Sequence, residues 1–188
     1  ALNKENAVKA FLSKHSEEYK AQKIIQFFFF SQWKKLKEYA EKNGIQLIGD
    51  IPIFAAMDSA DVWQNQSLFL LDEEAKPKAV AGVPPDFFSP TGQLWGNPLY
   101  DWAKMKKDGY LWWKARIRHT LKLFDIIRLD HFRGFEAFWS IPQGAQTAQE
   151  GKWVKGPDHH FFEEIQKDLI SLDEKYRIEL PILAEDLG

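Results

Sequence analysis

"FDIIRLDHFRGFEAFW", residues 124–139, is an apolar run that carries an arginine and an aspartate two residues apart. Because side chains alternate along a strand, Arg128 and Asp130 should share one face of it. Ile127 and Leu129 then face the other way and can pack on helices. A neighbouring guanidinium favours the charged form of a carboxyl group, which predicts an ionised Asp130 at the strand end. Two interpretations stay open from these residues alone: a catalytic carboxylate, or an ion pair that only satisfies itself.

The segments around this run alternate between helices and strands. Apolar spacing and turn residues predict helices at 16–42, 109–122 and 158–175, and strands at 45–50, 124–130 and 178–185. Such alternation favours an α/β fold with parallel strands and helices outside the sheet. The strands end in Asp50, Asp130 and Glu185. Since the carboxyl ends of parallel strands meet at one edge, three carboxylates are expected to converge there.

Residues 51–110 form a long Pro- and Gly-rich excursion between the first two strands. Its centre, "AGVPPDFFSPTGQLWGNPLYDW" at 81–102, has four prolines and three glycines between positions 82 and 98. This density should exclude a long helix and a central strand there. The many aromatic residues would not be left in water, so the excursion should be structured. A second polar, Gly-containing stretch is expected to follow the strand at 124–130.

Composition excludes several classes of protein. The net charge of −2 shows no basic excess, which disfavours a nucleic-acid partner. No cysteine is present, which is compatible with a reducing compartment and predicts a cytoplasmic location. The longest apolar run, residues 24–30, falls short of the roughly 20 residues that a membrane helix needs, so no membrane association is expected. The chain starts at Ala1 and stops at Gly188 just after a strand, which suggests a piece of a longer polypeptide.

The segment "LAEDLG" places Glu185 at the end of an apolar strand. Partial desolvation would favour its protonated form, although a glutamate at a strand end is more often an exposed loop residue. One ionised and one protonated carboxyl group is the division of labour that cleavage of a glycosidic bond requires. The eight tryptophans are explained by an ordinary core or by sugar stacking in a cleft.

Four blocks, in this order and at these separations, carry a family resemblance over residues 22–188. They are "GIQLIGDIPIFAA", "PPDFFSPTGQLWGNPLYDW", "FDIIRLDHFRGFEAFWSIP" and "ILAEDLG". Together they resemble the 4-alpha-glucanotransferases of glycoside hydrolase family 77. The resemblance implies that Asp130 is the nucleophile and that Glu185 is the general acid and base. It implies that substrate is bound by Asp50, Phe88, Trp95, Asn97, Arg128 and His131.

The resemblance also implies the partners and the architecture. The donor would be an alpha-1,4-glucan or maltooligosaccharide, the acceptor glucose or another glucan, and no metal or organic cofactor is implied. Residues 1–188 would form the central part of a (β/α)8 TIM-type barrel, with strands three to five present and an inserted loop subdomain at 51–110. Such an incomplete barrel is expected to be inactive alone.

Two departures from the family pattern are visible. Phe87 stands where many relatives would have a tyrosine, which removes one hydroxyl from the groove. The third catalytic carboxylate of the family, an aspartate in a Thr-His-Asp-like block, does not occur in this sequence. Two alternative functions therefore stay open: a glucan hydrolase of the alpha-amylase clan, and a glucan-binding segment without catalysis.

Overall fold

The structure, a computed structural model, describes residues 3–185. The helices are α1 Glu5–Lys14, α2 Ser16–Lys42, α3 Ala60–Gln64, α4 Trp102–Lys107, α5 Leu111–Leu123 and α6 Asp158–Ile170. The strands are β1 Ile48–Pro52, β2 Ala79–Val83, β3 Gln93–Pro98, β4 Ile126–Asp130, β5 Ala137–Pro142, β6 Lys152–Lys155 and β7 Ile182–Ala184. They form a three-stranded parallel sheet and a four-stranded antiparallel sheet. The chain is therefore a mixed α/β protein.

The parallel sheet has the order β1-β4-β7, so the predicted parallel pairing is confirmed. Each strand is shorter than predicted and starts two to four residues later. Before β1, the backbone N–H of Leu47 donates to the Asp125 carboxylate at 2.9 Å instead of to a strand. Before β7, the chain leaves a 3₁₀ turn at Glu174–Arg177, and Pro181 has no N–H to donate to a ladder.

The central strand β4 separates an apolar face from a charged one, as its alternation predicted. Ile127 and Leu129 are completely buried among apolar side chains. That core includes Trp113 and Ile117 of α5 and, from α6, Phe161, Ile165 and Leu169. Arg128 and Asp130 lie on the opposite face and remain partly exposed. Helices thus cover one side of this sheet, while charged groups occupy the other.

Helix α2 has the bounds that the sequence predicted, 16–42. Its C-terminal half is fixed by side chains that donate to the end of α5: Trp33 Nε1 to the Leu123 carbonyl at 2.8 Å, and Lys37 Nζ to the Phe124 carbonyl at 2.9 Å. The predicted helix at 158–175 ends earlier, at Ile170. No helix within residues 3–185 is long and apolar enough to cross a bilayer.

The antiparallel sheet has the order β3-β2-β5-β6 and corrects two expectations. First, β2 is a central strand that runs into the Pro/Gly-rich region as far as Val83. It can do so because Gly82 lacks a Cβ, which would lie 2.1 Å from the Gln93 carbonyl oxygen. Second, the polar stretch after β4 contains β5 and β6, a hairpin that the sequence reading missed.

Candidate active site

Asp130 ends β4 and Glu185 directly follows β7, whereas Asp50, which was expected to end the first strand, is the third of the five residues of β1. Pairing places Asp50 opposite Arg128 and Pro52 opposite Asp130. Glu185 directly follows β7, and its backbone N–H donates to the Leu129 carbonyl at 3.1 Å. Asp130 and Glu185 therefore meet at the carboxyl edge of the sheet as expected, while Asp50 lies two residues before the end of β1.

Arg128 bridges two of these carboxylates. Its Nη1 donates to both oxygens of Asp50, at 2.8 and 2.9 Å, and its Nη2 donates to Asp130 Oδ1 at 2.8 Å. The hydrogen bond to Asp50 is the main cause of the raised pKa of Arg128. Charge-assisted hydrogen bonds of this kind orient a carboxylate. Arg128 thus holds Asp130 through one carboxylate oxygen, Oδ1, and this hydrogen bond does not involve Oδ2.

Glu185 is positioned by the backbone that follows β4. Its Oε2 accepts from the backbone N–H of His131 at 3.1 Å, and its own carbonyl accepts from the N–H of Phe132 at 3.3 Å. The segment directly after Asp130 therefore orients the Glu185 side chain. The positions of Asp130 and Glu185 therefore both depend on the segment 130–132.

His131 is buried beside both carboxylates in a left-handed backbone conformation, with a φ of 52°. Its ring meets the Trp95 ring edge-on, with the centroids 5.0 Å apart. A Cβ on Gly134 would lie 3.0 Å from His131 Cδ2 and 2.8 Å from Ile53 Cδ1, so a larger residue there would require these side chains to shift. Burial lowers the pKa of His131 despite the opposing effect of the Glu185 and Asp130 charges.

The lowered pKa of His131 gives a testable pH dependence. When a histidine is harder to protonate in the folded state than in the unfolded state, the protein loses stability as the pH falls below the unfolded-state pKa of 6.5. We expect His131→Asn, which tolerates a left-handed backbone, to weaken the loss of unfolding free energy between about pH 8 and pH 5.5. Urea unfolding at both pH values measures this difference. The exposed His159, changed to asparagine, is the control and should leave the pH dependence as it was.

A cleft of about 470 Å³ opens over these groups, within the range of small-molecule sites. Five of the residues named from sequence line it: Trp95, Arg128, Asp130, His131 and Glu185. The lining also includes residues that the sequence reading did not assign: Val83, Pro84, Asp86, Gln93, Arg133 and Trp153. Asp86, Gln93 and Arg133 lie inside the four sequence blocks that carry the family resemblance, and this position is a signal that they could line the site. Trp153 gave no such signal, because the hairpin that carries it was missed.

Three predicted substrate contacts lie outside the cleft lining. Asp50 is engaged by Arg128. Asn97 Nδ2 donates to the Ala55 carbonyl at 3.1 Å and ties the loop after β1 to β3. Phe88 is almost fully exposed in a turn where the Asp86 carboxylate accepts from the N–H groups of Phe88 and Ser89. The binding roles of these three residues remain predictions.

The site combines a carboxylate held by a guanidinium, a second carboxylate on the adjacent strand, and an aromatic wall. A carboxylate positioned in this way can attack an electrophilic carbon, while a second carboxyl group exchanges protons with a leaving or entering oxygen. No group of three or more metal-ligating side chains is found within residues 3–185.

Comparison with known proteins gives consistent matches. The family model described as 4-alpha-glucanotransferase matches residues 1–188. A 4-alpha-glucanotransferase of Aquifex aeolicus is 51% identical over 182 residues, covering 97% of this chain and 36% of the relative. One from Clostridium butyricum is 49% identical over 188 residues, covering 100% and 37%. This chain therefore spans little more than a third of the length of these relatives.

Solved structures agree with the sequence relatives. An amylomaltase from Streptococcus agalactiae in complex with acarbose superposes with a TM-score of 0.91 at 44% identity, covering 99% of this chain and 36% of that one. An amylomaltase from Corynebacterium glutamicum, at 21% identity and a TM-score of 0.67, shares the fold over 85% of this chain.

Proposed function

The chain belongs to the 4-alpha-glucanotransferase family, and on that premise we propose that it supplies the two catalytic carboxylates of an enzyme that transfers glucan segments. The donor is an alpha-1,4-glucan, and the acceptor is the 4-hydroxyl of glucose or of another glucan. Because residues 1–188 span 36–37% of these relatives, the activity is assigned to a polypeptide of the relatives' length that contains them. That polypeptide is called the complete enzyme below.

One observation carries this proposal. Asp130, held by Arg128, and Glu185, held by the N–H of His131, end two adjacent parallel strands and line the same cleft. Neighbouring strands lie about 4.8 Å apart, which is compatible with the 5 to 5.5 Å between carboxyl groups that retaining enzymes need. The acarbose complex of the similar Streptococcus agalactiae amylomaltase supports a glucan-like ligand.

The reaction proceeds in two displacements. Asp130 attacks the anomeric carbon of the donor, forming a glycosyl ester, while Glu185 gives its proton to the departing glycosidic oxygen. The acceptor 4-hydroxyl then attacks the same carbon, Glu185 removes its proton, and the ester bond to Asp130 breaks. Two inversions retain the alpha configuration. Arg128 stabilises the Asp130 carboxylate when it is free and when it departs.

Three other cleft residues bind and orient the sugar. His131, kept neutral by burial, and Arg128 offer hydrogen bonds, and Trp95 offers an aromatic face. Asp50 acts through Arg128 by fixing the guanidinium. Asn97 lies in β3, and Phe88 lies in the loop before it, where its exposed ring is available to a longer glucan. Shielding by this loop favours transfer to a glucan over transfer to water.

We also infer that the parallel sheet is part of a (β/α)8 barrel. Within residues 3–185, β1 and β7 have parallel partners on one side only, and unpaired edges of a parallel sheet are normally covered or closed. The strands at 48–52, 126–130 and 182–184 would be the third, fourth and fifth of the barrel. Residues 51–110 would be its inserted subdomain, and the third catalytic carboxylate would come from a later strand. A cytoplasmic location remains a prediction from the absence of cysteine.

Product analysis tests the function. Incubation of the complete enzyme with maltotriose should give glucose and longer maltooligosaccharides while the number of reducing ends stays constant. Chromatography with a reducing-end assay measures both quantities. A steady rise in reducing ends would indicate a hydrolase and contradict the proposal. Binding without any new product would indicate a glucan-binding segment, and would contradict it as well.

A further inference from the structure

Arg133 and Trp153 form a stacked pair in the wall of the cleft. The Arg133 guanidinium lies over the Trp153 ring, 4.4 Å from its centroid. Both residues line the same cleft as Asp130 and Glu185, and both are exposed. Neither residue has a role in the reaction derived above. The pair therefore offers a flat surface and guanidinium donors beside the reacting groups.

Trp153 packs against a second tryptophan. It lies on β6 directly opposite Trp139 of β5, and the two rings meet edge-on with centroids 5.3 Å apart. Trp139 is anchored in turn, because its Nε1 donates to the Ala148 carbonyl at 2.8 Å. A Cβ on Gly151 would lie 2.1 Å from Trp139 Nε1, so the chain must pass closely here. Pairing in the antiparallel sheet thus places Trp139 beside Trp153.

The backbone of Arg133 is fixed as well. Arg133 lies in the 3₁₀ turn Phe132–Phe135, two residues after His131. The flanking Phe132 and Phe135 pack on the rings of α6, with Phe132 stacked on Phe162 at 5.0 Å. Stacking on Trp153 restricts a long side chain that would otherwise lose rotamer freedom on binding a ligand. Arg133 is therefore preorganised to donate hydrogen bonds.

The charges around the pair favour a neutral ligand. Three carboxyl groups line the cleft, those of Asp86, Asp130 and Glu185, together with the two guanidinium groups of Arg128 and Arg133. Since Glu185 is protonated before the proposed reaction, two carboxylates balance the two guanidinium groups. Burial lowers the pKa of His131, so this side chain adds no positive charge at neutral pH. An anion would therefore meet no net positive charge in the cleft. A polyhydroxyl ligand accepts hydrogen bonds from a guanidinium and stacks its C–H face on an aromatic ring.

We propose that the stacked Arg133–Trp153 pair is a binding site for a glucose unit other than the one attacked by Asp130. The proposal rests on the proposed function, which places the reacting sugar between Asp130 and Glu185. The cleft, at about 470 Å³, lies in the size range that holds ligands larger than one sugar ring. With this pair, the enzyme binds a longer stretch of glucan.

Calorimetric binding of maltoheptaose to the complete enzyme tests this site, with Asp130→Asn present in every sample to prevent turnover. We expect Trp153→Leu and Arg133→Gln each to raise the dissociation constant about tenfold, the effect of losing one stacking or charged contact. Trp153→Phe, which keeps an aromatic face, should raise it less than threefold. The control is Trp63→Leu, because Trp63 is similarly exposed but lies outside the cleft, and it should change nothing.

Dissociation constants within twofold of the parent for both Trp153→Leu and Arg133→Gln would overturn the site. Displacement of maltoheptaose by inorganic phosphate would also overturn it, since the pair would then serve an anion. If Trp153→Leu does not fold, Arg133→Gln and Trp153→Phe still decide the matter. Because binding is measured without turnover, failure of this site and failure of the transfer reaction are distinguishable.

Discussion

Replacing Asp130 with asparagine in the complete enzyme is expected to lower the rate of glucan transfer about 10⁴-fold or more, the scale seen when a covalent nucleophile is lost. Asparagine keeps the shape of the side chain but is too weak a nucleophile to form the glycosyl intermediate. Arg128 keeps its two hydrogen bonds to Asp50, so the guanidinium should stay in place. Initial rates of maltotriose disproportionation measure the effect.

The matched control for Asp130 is Asp58→Asn, since Asp58 is an exposed aspartate outside the cleft lining. Its transfer rate should stay within twofold of the parent. Thermal unfolding of both variants separates a loss of chemistry from a loss of fold. Transfer by Asp130→Asn at the parental rate would support a glucan-binding role for this carboxylate and contradict the proposed nucleophile.

Replacing Glu185 with glutamine should lower the transfer rate by about 10² to 10⁴-fold, the usual contribution of general acid–base catalysis. Glutamine can still accept from the His131 N–H, as Glu185 Oε2 does at 3.1 Å, so the positioning contact is retained. What is lost is the proton for the departing oxygen. The loss should therefore depend on the leaving group.

An alpha-maltosyl fluoride donor tests that dependence, because fluoride departs without being protonated. With this donor, the first displacement in Glu185→Gln should approach the parental rate, while transfer from maltotriose stays slow. Stopped-flow or quenched-flow release of fluoride gives the first-step rate. Equal losses with both donors would show that Glu185 acts through structure and not as an acid.

Strand β4 could be predicted because the pattern that defines it lies within consecutive residues. Period-two alternation within residues 126–130 separates the buried Ile127 and Leu129 from Arg128 and Asp130, and the structure follows it. The partner of Arg128 was not predictable in the same way. The sequence reading paired it with Asp130 only, whereas the register of β1 against β4 brings Asp50 to its other nitrogen.

The part of the cleft lining that contains Trp153 depends on contacts between segments that are far apart in the sequence. Trp153 is positioned by pairing across three strands: Gly82 of β2 pairs with Trp139 of β5, and Trp139 pairs with Trp153 of β6. Neither the turn-rich stretch before β3 nor the polar stretch after β5 shows a long apolar alternation, so this sheet was missed. His131 likewise has a left-handed backbone conformation that no local sequence pattern predicts.

Mass spectrometry of Glu185→Gln after reaction with alpha-maltosyl fluoride tests the two-carboxylate account most directly. Without the base that activates the acceptor, the glycosyl intermediate should accumulate. The account predicts a protein heavier by one maltosyl group, with the added mass located by peptide mapping on Asp130. No adduct under conditions that release fluoride, or an adduct on any other residue, would contradict it.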